Sequence, residues 1–286
     1  MKKQFKNLFG LFFIGLSALT VSCSSDDDNT TESQYVTGEN KIDLTGEDNM
    51  RDLGGYVGVN GKRILYNKLY RSGELSALTP DDLTIVNGFE IKNIIDLRTE
   101  SERNDKPDVS IQGTTRFEIS LIEDMGGANT GMEDIMGLIL QGQMTAEELM
   151  LPAYVVDETK IEGWKTIFNL LEEGKTSLWH CTAGKDRAGM TTALVLSSLG
   201  VDRQTIIDDF MLSNTYLADY NNQTIAYINS QYGEGVGEQL LPLLGVEEEY
   251  ILAFFNDIET NYGSVENFLQ VLEVDVTAMR NNYLEK

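Results

Sequence analysis

The sequence predicts an α/β fold, and three observations predict it. A short β-prone run, Thr176-Ser177-Leu178-Trp179, leads into a stretch of small and polar residues and then into Met190-Thr191-Thr192-Ala193-Leu194-Val195-Leu196, a buried helix closed by Gly200. A second apolar run, Ile94-Ile95-Asp96-Leu97, ends in a carboxylate and charged residues, as a buried strand does where its C-terminal end faces a ligand site. The 286 residues are enough for one large domain, and no linker interrupts the chain after residue 45.

The other elements follow in order. Ile64-Leu65-Tyr66 and Leu69-Tyr70 flank Asn67-Lys68, which predicts a hairpin turn. Thr79-Pro80-Asp81-Asp82 supplies an N-cap, a proline at the first helical position and early acids, so a helix runs from about Pro80 to Asn87. Gly126 to Gln143 is rich in Gly and Met without clear alternation, and reads either as a lid over a pocket or as a surface excursion. A helix is expected from Thr145, an amphipathic one over Trp164 to Glu173, and another from Val201 through Met211. The remainder from Asn214 reads as mostly helical, broken at Gly233 to Gly237.

Lys2, Lys3 and Lys6 precede an apolar core from Leu8 to Val21 that is too short for a permanent membrane span, the pattern of a secretory signal. Leu19-Thr20-Val21-Ser22-Cys23 resembles a bacterial lipobox, with Thr20 where such boxes usually carry Leu; the resemblance implies a lipid anchor on Cys23. Plain cleavage and release is the alternative. Ser24-Ser25-Asp26-Asp27-Asp28 looks like the acidic export tag of surface-exposed lipoproteins. The expected organisation is a signal over residues 1–22, an acidic polar tether over 23–40 and a single domain over 41–286, on an extracytoplasmic, outer-membrane protein.

Lipid on Cys23 would leave Cys181 as the one thiol of the mature chain, so no disulfide supports the fold. The formal charge is −24, and removing residues 1–22 takes away three lysines and no acid. This excludes nucleic acid as a partner, because such binding needs clustered cations on phosphates. An anionic substrate must be captured by local cations, distant charges being screened over about 8–10 Å.

Those cations lie in Trp179-His180-Cys181-Thr182-Ala183-Gly184-Lys185-Asp186-Arg187-Ala188-Gly189. A helix starting near Arg187 directs unpaired N–H groups and its positive dipole end into the loop, which suits a dianion and favours Cys181 as a thiolate. Ala183 and Gly184 are small enough for amides to close around phosphate, and Arg187 offers a planar fork for two of its oxygens.

Through these residues the chain resembles the cysteine-dependent phosphatases, whose signature is His-Cys, five residues and Arg. The longer string HCTAGKDR is similar to the atypical bacterial and fungal tyrosine and lipid phosphatases. Asn49 to Gly55, Tyr70-Arg71-Ser72-Gly73, Ile95-Asp96-Leu97-Arg98 and Asp209 to Asn214 extend the resemblance over most of residues 45–215. It implies a tyrosine-phosphatase-like domain, a mostly parallel central sheet flanked by helices with a helical lid. It also implies attack by Cys181 on phosphorus, with Arg187 and the backbone of Thr182, Ala183, Gly184, Lys185 and Ala188 around the phosphate. No metal or cofactor is required.

His180 is the one histidine, which excludes histidine clusters as metal sites. Neighbouring strand residues face opposite ways, so it is not the base for Cys181; the resemblance implies that it orders the loop. The proton for the leaving group must come from a carboxyl, and Asp186 is preferred over Asp96. Asp52 reads as an architectural partner, and the Asp209 block as mostly packing. Lys185 is either a second cation at the mouth, which the resemblance links to phosphoinositides, or a solvated lysine. A phosphorylated protein and a phosphoinositide both stay open as substrates. Ala188 departs from the family's usual Thr or Ser, whose hydroxyl would stabilise the departing thiolate. Hence a competing reading is a catalytically impaired phosphate-binding surface lipoprotein. A rhodanese-like cysteine loop fits Lys185-Asp186-Arg187 poorly.

Overall fold

The computed structural model describes residues 40–124, 137–139 and 141–286. The expected signal, Cys23 and the tether (Asn40 excepted) lie outside the described residues, as does most of the expected lid. The centre of the domain is a sheet of five strands: β1 (Arg51–Asp52), β2 (Leu69–Ser72), β3 (Asn93–Asp96), β4 (Thr115–Glu118) and β5 (Ser177–His180). Their spatial order is β1-β2-β5-β3-β4, parallel throughout except that β1 is antiparallel to β2. This is the mixed, mostly parallel sheet the sequence predicts.

The helices flanking it are α1 (Pro80–Asn87), α2 (Glu100–Asp105), α3 (Ala146–Met150), α4 (Glu158–Leu171), α5 (Arg187–Ser198), α6 (Arg203–Tyr216), α7 (Ala218–Tyr232), α8 (Leu241–Leu244), α9 (Glu248–Tyr262), α10 (Val265–Val271) and α11 (Val276–Tyr283). α1 has the predicted bounds because Thr79 and Asp82 form a reciprocal capping box at its start. α4 begins earlier than the amphipathic stretch suggested, at the Asp157 N-cap. α7 stops where Gly233 takes a φ of +112°.

Alternation along the strands divides the core in two. Tyr70, Ile94 and Leu178 point to one face and pack with Val86 of α1. Leu69, Ile95 and Trp179 point to the other, into the larger cluster with α4, α5, α9 and α10. There the buried Trp164 ring lies 5.5 Å from Phe254 and 6.0 Å from Phe268, and its Nε1 donates to Thr191 Oγ1 at 3.1 Å.

The predicted hairpin at Asn67-Lys68 is corrected. Asn67 does adopt a positive φ of 59°, and its N–H donates to Asp52 Oδ2 at 2.7 Å, but β2 pairs with β1 instead of with Ile64-Leu65-Tyr66. Those residues pair with the end of the chain: Ile64 bridges Leu284, the Leu65 N–H donates to Tyr283 O at 2.8 Å, and the Glu285 N–H donates to Arg63 O at 2.9 Å. The Tyr283 hydroxyl also donates to Leu171 O at 2.6 Å.

Register sets the position of the site. His180 is level with Ser72 on one side and with Asp96 on the other, so three parallel strands end together and the loop from Cys181 leaves from their common edge.

Candidate active site

Between β5 and α5, successive carbonyls are satisfied from outside the loop. Cys181 O lies 3.2 Å from His180 Nδ1, and, because a carbonyl only accepts, that nitrogen is the donor. Thr182 O accepts from the Glu74 N–H at 2.8 Å, and Ala183 O from Asn49 Nδ2 at 2.9 Å. Gly184 O and Lys185 O accept from one nitrogen of Arg71, at 2.7 and 3.2 Å. By contrast, among the described residues no N–H of residues 182–187 donates to another protein group, and Asp186 at the N-cap of α5 makes no side-chain capping bond. These N–H groups and the start of α5 are the donors an oxyanion would find there.

Close backbone approach is built into this turn. Gly184 has a φ of +72°, and a Cβ there would lie 2.5 Å from Gly73 N and from Ser72 O. Only glycine meets both conditions.

Arg71 is itself held by a buried ion cluster. Its NH1 lies 2.7 Å from Asp209 Oδ2, while Arg51 Nε donates to Asp209 Oδ1 at 2.9 Å and Tyr56 OH to the same oxygen at 3.1 Å. Burial would raise the Asp209 carboxyl, but the two guanidiniums outweigh it and hold the group below its ordinary value. The block read as mostly packing therefore carries the charge that anchors the loop. Asp52 has the expected architectural role, accepting from the Gly54 N–H at 2.8 Å and from Asn67.

Cys181 is buried, and the guanidiniums of Arg187 and Arg71 are both electrostatically coupled to it. Arg187 meets a partner that the sequence did not disclose. Its NH1 and NH2 donate to the two carboxylate oxygens of Glu102 at 2.6 and 2.7 Å, and NH2 also donates to Thr182 Oγ1 at 3.2 Å. The predicted fork is thus occupied by Glu102, and Nε is the donor left for a phosphate oxygen. Burial would lower Arg187; the Glu102 hydrogen bonds and the Cys181 and Asp186 charges more than offset it, so the cation is secured. Glu102 also accepts from Thr182 Oγ1 at 2.7 Å and from the Thr99 N–H at 2.8 Å, the latter as half of the α2 capping box.

Asp186 lies on the loop side of Cys181 with its side chain 23% exposed. Its carboxylate accepts a short hydrogen bond from Tyr154 OH, and Lys185 Nζ lies 2.9 Å away. The charge of Asp186, after burial itself, raises the Tyr154 hydroxyl well above its ordinary value and keeps it a donor. Lys185 is not solvated, as one reading had it: its side chain is only 7% exposed, against the acid beside it. Ala188 is fully buried, and the nearby Thr191 and Thr192 hydroxyls bond main-chain carbonyls.

Asp96 does not reach the loop as an available carboxyl. It is fully buried, accepting from Arg98 Nε at 2.9 Å and Arg98 NH2 at 2.8 Å. His180 Nε2 faces Asp108 Oδ2 at 3.2 Å. Asp96, Asp108 and His180 bring three donor atoms within 4.8 Å of one another, a grouping with metal-ligand chemistry. Arg98, 2.9 Å from Asp108, and Arg116, 2.7 Å from it, already balance these acids. Burial raises the Asp108 carboxyl, but His180 and the two arginines hold it at about 2. A dication there would face two guanidiniums.

Glu47 was also not foreseen. Its Oε1 accepts from the Gly73 N–H at 2.6 Å and the Asn49 N–H at 2.9 Å, whereas Oε2 is buried without a partner. Burial pushes its carboxyl up to about 7 despite those bonds.

Glu102 makes a pH-dependent prediction. Burial would raise its carboxyl, but Arg187 and the Thr99 and Thr182 donors bring it from an ordinary 4.5 to about 2. A depressed pKa stabilises the fold in full above 4.5 and ceases to do so as pH falls through about 2. The stability difference between wild type and Glu102→Gln, from urea unfolding, should therefore be flat above about pH 5 and shrink as the pH is lowered from there.

Comparison with known proteins identifies the family. The model of the tyrosine phosphatase family matches residues 42–285. A Cupriavidus necator protein named as a tyrosine-protein phosphatase is 32% identical over 255 residues, covering 87% of this chain and 90% of its own. The triple specificity protein phosphatase PtpB of Mycobacterium tuberculosis is 25% identical over 274 residues, covering 83% and 97%. A crystal structure of P. aeruginosa TpbA with phosphotyrosine aligns at a TM-score of 0.32 and 15% identity, over 64% of this chain and 89% of that one. With nearly all of the described domain inside the family match and the Cys181–Arg187 loop at its centre, the chain belongs to the tyrosine phosphatase family of phosphomonoester hydrolases.

Proposed function

We propose that the protein hydrolyses phosphomonoesters through a phosphocysteine, with phosphotyrosine as substrate and phosphoinositides as a second class. One observation carries the reading: the carbonyls of residues 181–185 are engaged by donors, the loop N–H groups are left without a protein acceptor among the described residues, and Arg187 is near enough to Cys181 to be coupled to it electrostatically. The thiolate of Cys181 attacks phosphorus, a sulfur–phosphorus bond forms, and the phosphorus–oxygen bond breaks with its electron pair leaving on oxygen. Asp186 protonates that oxygen. Water then attacks phosphorus and gives its proton to Asp186, and phosphate departs as the thiolate is regenerated.

Asp186 takes this role because Asp96 is committed to Arg98. Buried against Asp186, Lys185 orders the acid. The name of the M. tuberculosis relative supports a site open to more than one phosphomonoester.

Assays with p-nitrophenyl phosphate and phenyl phosphate across pH 5–8 test the scheme. Cys181→Ser should abolish turnover. Asp186→Asn should cost about 10²- to 10⁴-fold on phenyl phosphate, and less with the better leaving group. Release of nitrophenol that does not depend on Cys181 would overturn the proposal.

Ala188 supports a slow second step. Without a hydroxyl for the departing thiolate, about 1–3 kcal/mol is lost, or roughly ten- to a hundredfold in rate. A burst of product with trapped phosphocysteine is expected, and Ala188→Thr, or the smaller Ser, should raise turnover. A linear progress curve without trapped intermediate would overturn the slow second step.

We also propose that Cys23 is lipidated and anchors the protein to the extracytoplasmic side of the bacterial outer membrane, the acidic run after it supporting surface exposure. Labelled palmitate should enter the wild type and not Cys23→Ala, and the variant should move to the soluble fraction.

A further inference from the structure

A cavity of about 240 Å³ adjoins the catalytic loop, lined by Glu47, Asp48, Glu74, Lys106, Thr182 and Tyr220 among others. Because it shares Thr182 with the loop, a group inside it would belong to a residue next to the phosphorylated one.

We propose that this cavity is a subsite for a cationic side chain, lysine or arginine, flanking phosphotyrosine in a peptide substrate. The inference rests on the phosphatase reading above and names the substrate class that the same site prefers.

Charge is the first argument. Three carboxylates face one cation, and Lys106 is already spent on Glu74, with Nζ 2.7 Å from Oε1. Asp48 is left as an acidic excess, beside Glu47, whose carboxyl burial pushes up to about 7. Glu47 is only 7% exposed, and its Oε2 is buried with no partner. An ammonium or guanidinium in the cavity would favour the ionised form of this buried carboxyl, which desolvation otherwise opposes. Tyr220, 57% exposed, adds an aromatic surface on which a cation is stabilised.

Rigidity is the second argument. Asp82 of α1 accepts from the Thr45 N–H at 2.8 Å and the Gly46 N–H at 3.0 Å, fixing the segment that carries Glu47 and Asp48. The wall is therefore set before a ligand arrives.

The test compares kcat/KM for phosphotyrosine peptides that differ only in carrying Lys, Ala or Glu beside the phosphotyrosine, with p-nitrophenyl phosphate alongside. The Lys peptide should exceed the Glu peptide by about three- to tenfold, with Ala between. Asp48→Asn and Tyr220→Ala should each bring the Lys/Glu ratio toward one. Because the ratio is read within each variant, a general loss of activity does not enter it. Equal rates for the peptides, or preference for Glu under the control of Lys106, would overturn the inference while p-nitrophenyl phosphate is still cleaved. Loss of Cys181-dependent cleavage of every substrate would instead bring down the phosphatase reading, and this inference with it.

Discussion

A loop that holds an oxyanion with its N–H groups must first direct its carbonyls elsewhere. In this protein that constraint is met largely by Arg71, which takes two of those carbonyls, and Arg71 depends on the buried carboxylate of Asp209. Removing one partner from such a buried pair typically costs about 3–5 kcal/mol, because the other charge is stranded. The chain brings two arginines from neighbouring strands and an aspartate from α6 together under the site, so the turn from Cys181 to Arg187 is tied to the core beneath it.

Glu102 links the reactive cation to secondary structure. One carboxylate closes the first turn of α2, receives the Thr182 hydroxyl and engages both terminal nitrogens of Arg187. Helix and guanidinium are thereby one unit, and α2 cannot shift without moving the arginine. Tyr154 and Lys185 do the same for Asp186 from the opposite side.

The loop was legible because Cys181 through Arg187 is contiguous, and a strand, a turn and a helix start dictate its shape locally. The helix over Pro80–Asn87 was legible for the same reason, since its cap is encoded within four residues. Glu102 was not: it lies 85 residues from Arg187 and is one of 46 acids in the chain. Asp209 was underrated because a position on a helix face says nothing of the two guanidiniums waiting there. Lys185 was read as mouth or solvent because its burial depends on Tyr154, Asp186 and the packing around them. The hairpin went wrong in an instructive way, since alternation announces a strand but not its neighbour. Here the neighbours were β1 for one segment and residues 283–285 for the other.

The seam between Arg63-Ile64-Leu65 and Tyr283-Leu284-Glu285 joins residues as far as 222 positions apart. Closing so long a stretch of chain is an entropic burden borne late, and it slows assembly compared with contacts made locally. During vectorial synthesis residues 63–65 therefore wait for more than 200 further residues before their backbone partners at 283–285 exist.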